Sequence, residues 1–158
     1  MTSVYEPWDT ARGAEIIAEH SQVEGATLVI LHALQEAFGY VPQAAIPMVA
    51  WALNLSHAEV YGVFTFYHDF RKKRAGRHVL KLCRAEACQA AGGDRLAARA
   101  EAKLGVALGD TTADDRVTFE PIYCLGLCAT APSAILDGRV VGRLDEARID
   151  AIVAELQR

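Results

Sequence analysis

The chain has 158 residues, 52% of them hydrophobic and 23% charged, with a formal net charge of −4. So high an apolar fraction excludes a disordered chain, and at this length a core forms without disulfides or metals being needed for stability alone. No run reaches the ~18 consecutive apolar residues of a membrane span, and the opening MTSVYEPWDTARG has neither a basic nor an apolar signal region, so we expect a cytoplasmic protein with reduced thiols and no membrane insertion.

The charge is uneven along the chain. Residues 1–70 carry −7, residues 71–81 carry +6, and residues 82–158 carry −3. The basic stretch (Arg71, Lys72, Lys73, Arg74, Arg77 and Lys81) reads as a solvated connector, with a docking patch for an acidic partner as the functional alternative. An acidic chain lacks the basic domain that a nucleic-acid footprint needs, so no nucleic-acid partner is expected.

The first 70 residues predict helices. Asp9 caps a helix bearing Ala14, Ile17 and Ala18. A second runs from about Gly25 to Phe38, with Ile30, Ala33, Leu34, Ala37 and Phe38 on one face and Gly39 at the left-handed stop. Pro42 and Pro47 each suit a first helical turn, and the segment to Leu53 is apolar on most sides. Ser56-x-x-Glu59 is a capping box opening a helix rich in aromatics. Tyr61, Phe64, Phe66, Tyr67 and Phe70 do not share one narrow stripe, which points to deep burial or an interface.

The period changes at Gly76. Arg77 to Cys83 alternates as a strand, with His78, Leu80 and Leu82 facing one way. Gly92-Gly93-Asp94 precedes a helix to about Leu104, with Leu96, Ala100 and Leu104 in line. Val117 and Phe119 mark a second strand that Pro121 keeps at an edge or bulge. Ser133–Leu136 and Arg139–Val141 flank Asp137-Gly138, a two-residue hairpin signal. Asp145 caps a last helix carrying Ile149, Ile152, Val153 and Leu156. The pattern predicts an α+β (α/β-like) chain with a helical domain over residues 1–75 and a β-α-β-β-α domain over residues 76–158.

All four cysteines lie in the second half: Cys83 and Cys88 as C-x4-C, Cys124 and Cys128 as C-x3-C. Each pair follows a predicted strand, so two loops at one end of a sheet could bring the sulfurs together. Converging thiolates in a reducing compartment call for a soft cation. Spacing alone leaves tetrahedral zinc, a [2Fe-2S] cluster and redox or buried thiols open. The small and apolar second loop (Leu125, Gly126, Leu127, Ala129, Ala131) favours a cluster. The spacing departs from plant-type ferredoxins, which continue C-x4-C with C-x2-C. The absence of C-x-x-C weakens a dithiol oxidoreductase.

The two cysteine pairs, with CLGLCATAP around the second, resemble the thioredoxin-like [2Fe-2S] family, which includes the 24-kDa subunit of NADH dehydrogenase (complex I). GYVPQAAIPMVAWALNLSHAEVYGVFTFYHDF, residues 39–70, is similar to that family's helical domain. CRAEACQAAGG and the short length most resemble the gamma subunit of NAD-dependent molybdenum formate dehydrogenases. The resemblance implies an N-terminal helical bundle, then a thioredoxin-like domain with a small mixed sheet. It implies one [2Fe-2S] cluster on Cys83, Cys88, Cys124 and Cys128, and an Ala131–Pro132 bond expected to be cis. The implied partners are a flavoprotein subunit carrying FMN, an NAD site and a [4Fe-4S] cluster, and a large molybdenum and iron–sulfur subunit. The equivalent subunit of an NAD-reducing hydrogenase or of complex I is the alternative, and a zinc-stabilised adaptor is the alternative from another class.

No catalytic residue is expected on this chain. It contains no Gly-rich phosphate loop, and His20, His32, His57, His68 and His78 are scattered with no Ser or Cys beside them in a catalytic arrangement. The implied role is non-catalytic electron transfer within an oxidoreductase complex.

Overall fold

The computed structural model describes residues 5–157. The chain divides into two compact units between Arg74 and Ala75.

The first unit is helical: α1 (Thr10–His20), α2 (Ala26–Phe38), α3 (Ala45–Ala52) and α4 (His57–Phe66). Asp9 caps α1 by accepting from the Arg12 N–H at 2.8 Å. Gly25 and Gly39 bracket α2, both in the left-handed region that glycine enters without a Cβ penalty. Ile30, Leu31, Leu34 and Phe38 of α2 are fully buried against Ile16, Ile17, Ile46, Val49, Val60 and Phe64. Trp8 meets Phe38 edge-on, their rings 4.9 Å apart.

Three expectations in this unit change. Pro42 precedes α3 and accepts from the Ala45 N–H at 2.9 Å, so only Pro47 lies in a first turn. The aromatic run divides at the end of α4. Phe64 and Phe70 are buried, whereas Phe66 is 74% exposed and Tyr67 stands half out of the surface. The basic stretch is not a free connector. Arg74 donates to the carbonyl oxygens of Phe38, at 3.0 Å, and Glu6. The Arg71 backbone is tied to the Gln35 side-chain oxygen and to the Val41 N–H. Lys72 and Lys73 remain exposed.

The second unit runs β1 (His78–Cys83), α5 (Glu86–Ala90), α6 (Gly93–Leu104), β2 (Val117–Ile122), a short 3-10 turn (Cys128–Thr130), β3 (Ala134–Leu136), β4 (Arg139–Val141) and α7 (Glu146–Leu156). Its mixed sheet has the order β2-β1-β3-β4. β1 and β2 are parallel, with Leu80 opposite Phe119 and Cys83 opposite Ile122. β3 runs antiparallel to both β1 and β4. Pro121 therefore sits in an edge strand, where its missing N–H interrupts no inner ladder. Asp137 and Gly138 both take positive φ, as the tight hairpin requires. Leu80, Leu82, Phe119, Ala134 and Leu136 pack with Leu96, Ala100 and Leu104 of α6 and Ile149, Ile152, Val153 and Leu156 of α7.

Candidate metal centre

The parallel pairing of β1 with β2 sends both strands out of the sheet at the same end. Cys83 is the last residue of β1, and Cys124 lies two residues beyond Ile122, the partner of Cys83. After Cys83 the chain turns through α5, which returns Cys88 to that end. α5 was not anticipated from sequence, because five residues show no helical period. After Cys124 the loop closes through the 3-10 turn that begins with Cys128. β3 starts alongside, and the Cys83 N–H donates to the Ser133 carbonyl at 2.9 Å. The Ala131–Pro132 bond just before it is cis.

All four cysteines are free thiols, and the centre is asymmetric. Cys83 and Cys88 are each 2% exposed, whereas Cys124 and Cys128 are open to solvent beside Tyr123, itself 73% exposed. The Cys83 sulfur is buried, which pushes its pKa up. The Ala85 N–H, the Cys88 thiol and the N–H groups of Cys124 and Leu125 outweigh that and bring it below the ordinary thiol value. Cys128 is shifted the other way, through its hydrogen bond to Cys124, the Cys124 charge, burial and the charge of Cys88. The two loops thus place both cysteine pairs at the same end of the sheet, with Cys83 and Cys88 buried and Cys124 and Cys128 exposed.

Backbone geometry serves the same end. Cys124 holds φ at 76°, a conformation uncommon for a residue with a side chain and costing about 1–3 kcal/mol. Its sulfur accepts from the Gly126 N–H at 3.4 Å. A Cβ on Gly93 would meet the Cys88 carbonyl oxygen at 2.6 Å, so a bare backbone there lets α6 pack onto the turn holding Cys88. Gly142 plays the same part for the other loop, where a Cβ would lie 2.7 Å from the Thr130 hydroxyl. Gly92-Gly93 was legible in sequence, but the reason for Gly93 was not, and Gly142 carried no signal there. Ser133 was also missed as part of the site. It is buried, with its hydroxyl 3.6 Å from the Cys88 sulfur.

Among the described residues, no group of three or more His, Cys, Asp or Glu side chains is set to hold a single metal ion. The thiols come instead as two pairs, one per loop, and a two-iron cluster takes two cysteines on each iron. A thiolate that accepts from a backbone N–H, as Cys124 can from Gly126, suits such an anionic cluster. His78 pairs with Asp137 at 2.7 Å in the hairpin turn.

The family profile of thioredoxin-like [2Fe-2S] ferredoxins matches residues 13–157. The chain belongs to the thioredoxin-like [2Fe-2S] ferredoxin family. This ferredoxin is 36% identical over 112 residues to the E subunit of NADH-quinone oxidoreductase from Pseudomonas aeruginosa, covering 71% of this chain and 68% of that one. It is 31% identical over 141 residues to the HndA subunit of the NADP-reducing hydrogenase from Solidesulfovibrio fructosivorans, covering 89% and 82%. Among solved structures it resembles an NAD+-reducing [NiFe]-hydrogenase in the air-oxidized state, with a TM-score of 0.70 and 29% identity. That match covers 83% of this chain but only 22% of the hydrogenase chain. Among the described residues no helix is long and apolar enough to cross a membrane.

Proposed function

We propose that this chain is the electron-transfer subunit of a cytoplasmic NAD-dependent formate dehydrogenase, carrying one [2Fe-2S] cluster on Cys83, Cys88, Cys124 and Cys128. The observation that supports the reading is two pairs of free thiols, each on a loop that leaves the sheet at the same end, one pair buried and the other exposed. The partner in this reading is a flavoprotein subunit holding FMN, an NAD site and a [4Fe-4S] cluster, with a large molybdenum subunit completing the assembly. The formate dehydrogenase assignment rests on CRAEACQAAGG, residues 83–93, and on the chain's length. The corresponding subunit of a hydrogenase is the second reading, supported by the 31% identity to HndA over 141 residues.

When bound, a [2Fe-2S] cluster supplies one-electron redox chemistry, at a potential on the order of −400 mV in plant-type relatives. The residues of this chain supply the rest. Cys83 and Cys88 anchor the buried side. N–H groups of Ala85, Cys124 and Leu125 hold negative charge on sulfur. Cys124, Cys128 and Tyr123 form the open side, where a redox partner can approach closely.

The test is direct. Anaerobically prepared protein should be red-brown, contain two irons and two sulfides per chain, and give a rhombic EPR signal on reduction. Stoichiometric zinc without inorganic sulfide would refute the reading. Identifying the large subunits that co-purify from the native host separates formate dehydrogenase from hydrogenase and complex I.

A further inference from the structure

Among the described residues, two polar side chains fall in the buried set, Thr118 and Ser133. The Thr118 hydroxyl is fully accounted for, by the Gly76 N–H at 2.7 Å and the Thr111 hydroxyl at 2.8 Å. The Ser133 hydroxyl, in a residue only 1% exposed, has a single hydrogen-bond partner among those residues, the Cys88 sulfur at 3.6 Å. A buried hydroxyl without a partner is costly, so this contact is the one that makes a serine tolerable here. Its aim is set by the backbone. The Ser133 carbonyl accepts from Cys83 at 2.9 Å, and the residue sits at the foot of β3. In the free protein either group can donate. A metal-bound thiolate has no proton, so the hydroxyl must then be the donor.

We propose that Ser133 is a positioning residue for the cluster, donating a hydrogen bond to the Cys88 thiolate and raising the reduction potential of the centre. The inference rests on Cys88 being a ligand, as argued above. Reduction adds negative charge to the centre. A donor on a ligand sulfur stabilises that added charge, so it favours the reduced form over the oxidised one. The Cys124 sulfur receives its donor from the backbone, the Gly126 N–H at 3.4 Å, which no side-chain substitution removes. Cys88 receives its donor from a side chain, which leaves the potential open to adjustment at one position.

The experiment uses the full chain with its cluster reconstituted. Ser133→Ala should shift the midpoint potential, read by EPR-monitored titration, to more negative values. The expected size is about tenfold in the reduced-to-oxidised ratio at fixed ambient potential, or ~59 mV for one electron. Ser133→Thr and Ser133→Val form an isosteric pair that differs in the hydroxyl alone. The threonine variant should titrate near wild type and the valine variant with the alanine. Exchange into heavy water should shift the Fe–S stretching bands more in the two hydroxyl-bearing proteins than in the other two. Equal potentials and equal deuterium shifts across either pair, at full cluster content, would overturn the proposal. An unchanged EPR spectrum in Cys88→Ser would instead remove the ligand assignment beneath it, and the proposal with it.

Discussion

Arg99 grips Asp150 with two parallel hydrogen bonds, Nε to Oδ1 at 2.7 Å and Nη2 to Oδ2 at 2.8 Å, joining α6 to α7. Lys103 approaches the same carboxylate at 3.1 Å. The Arg99 hydrogen bonds are the main cause that holds the Asp150 carboxyl down to about 2, against an ordinary 3.8. A depressed folded-state pKa stabilises the fold above the unfolded value, and that stability is lost as pH falls through the folded one. Asp150→Asn should therefore melt below wild type at neutral pH, and the gap should close between pH ~4 and pH ~2. Thermal melts at a series of pH values read this out, and a gap that persists at pH 2 would contradict it.

Gly93→Ala should release the cluster while sparing the fold. The added Cβ, 2.6 Å from the Cys88 carbonyl, forces apart α6 and the turn that presents Cys88. Iron and sulfide per chain should fall well below wild type with the helical signal retained. Full cluster content would show that the turn can move aside.

Gly62→Ala provides the contrast. Gly62 lies within α4, and nothing stands within 4 Å of an added Cβ. Alanine there should stabilise the protein by about 0.5–1 kcal/mol through helix propensity alone. In the same helix, Ser56→Ala removes the cap that receives the Glu59 N–H at 3.2 Å and should cost about 0.5–2 kcal/mol. Denaturant titration of each variant measures both signs.

The basic stretch should split into two kinds of residue. Lys72→Gln with Lys73→Gln should slow association with the flavoprotein partner at low salt, an effect that fades as salt rises, and should leave the melting temperature unchanged. Arg74→Gln should lower the melting temperature, because it breaks the hydrogen bonds to Phe38 and Glu6. Stopped-flow association and thermal melts separate the two. An unchanged on-rate at low salt would discard the steering role.

Serine at Cys83, Cys88, Cys124 or Cys128 should each distort or remove the cluster. Serine at the exposed Cys124 and Cys128 should disturb folding least, since no buried sulfur is lost there. EPR and iron content for the four variants check this, and an unchanged spectrum in any one of them would remove that residue from the ligand set.

Much of the fold was legible because its signals are local. Asp9, Ser56 with Glu59, and Asp145 announce three helix starts, and Asp137-Gly138 announces a hairpin, each within a few residues of the hydrogen bonds they make. The strand periods at residues 77–83 and 133–141 were readable for the same reason. α5 was not, since a one-turn helix has too few residues for a period. The exposure of Phe66 beside the buried Phe64 also escaped, because two residues along a helix turn the side chain by about 200°, onto the opposite face.

The amino-acid sequence alone determined the chemistry on offer: four thiols in two pairs, each following a strand, with small residues around the second. Tertiary structure decided that both pairs leave the sheet at one end. Had β2 run antiparallel to β1, Cys124 would have left the sheet at the end opposite Cys83. The parallel choice is made by backbone hydrogen bonds between segments some forty residues apart, as in the pairing of Cys83 with Ile122. No residue advertises that pairing locally, because strand direction depends on which buried faces of β1, β2, α6 and α7 fit together.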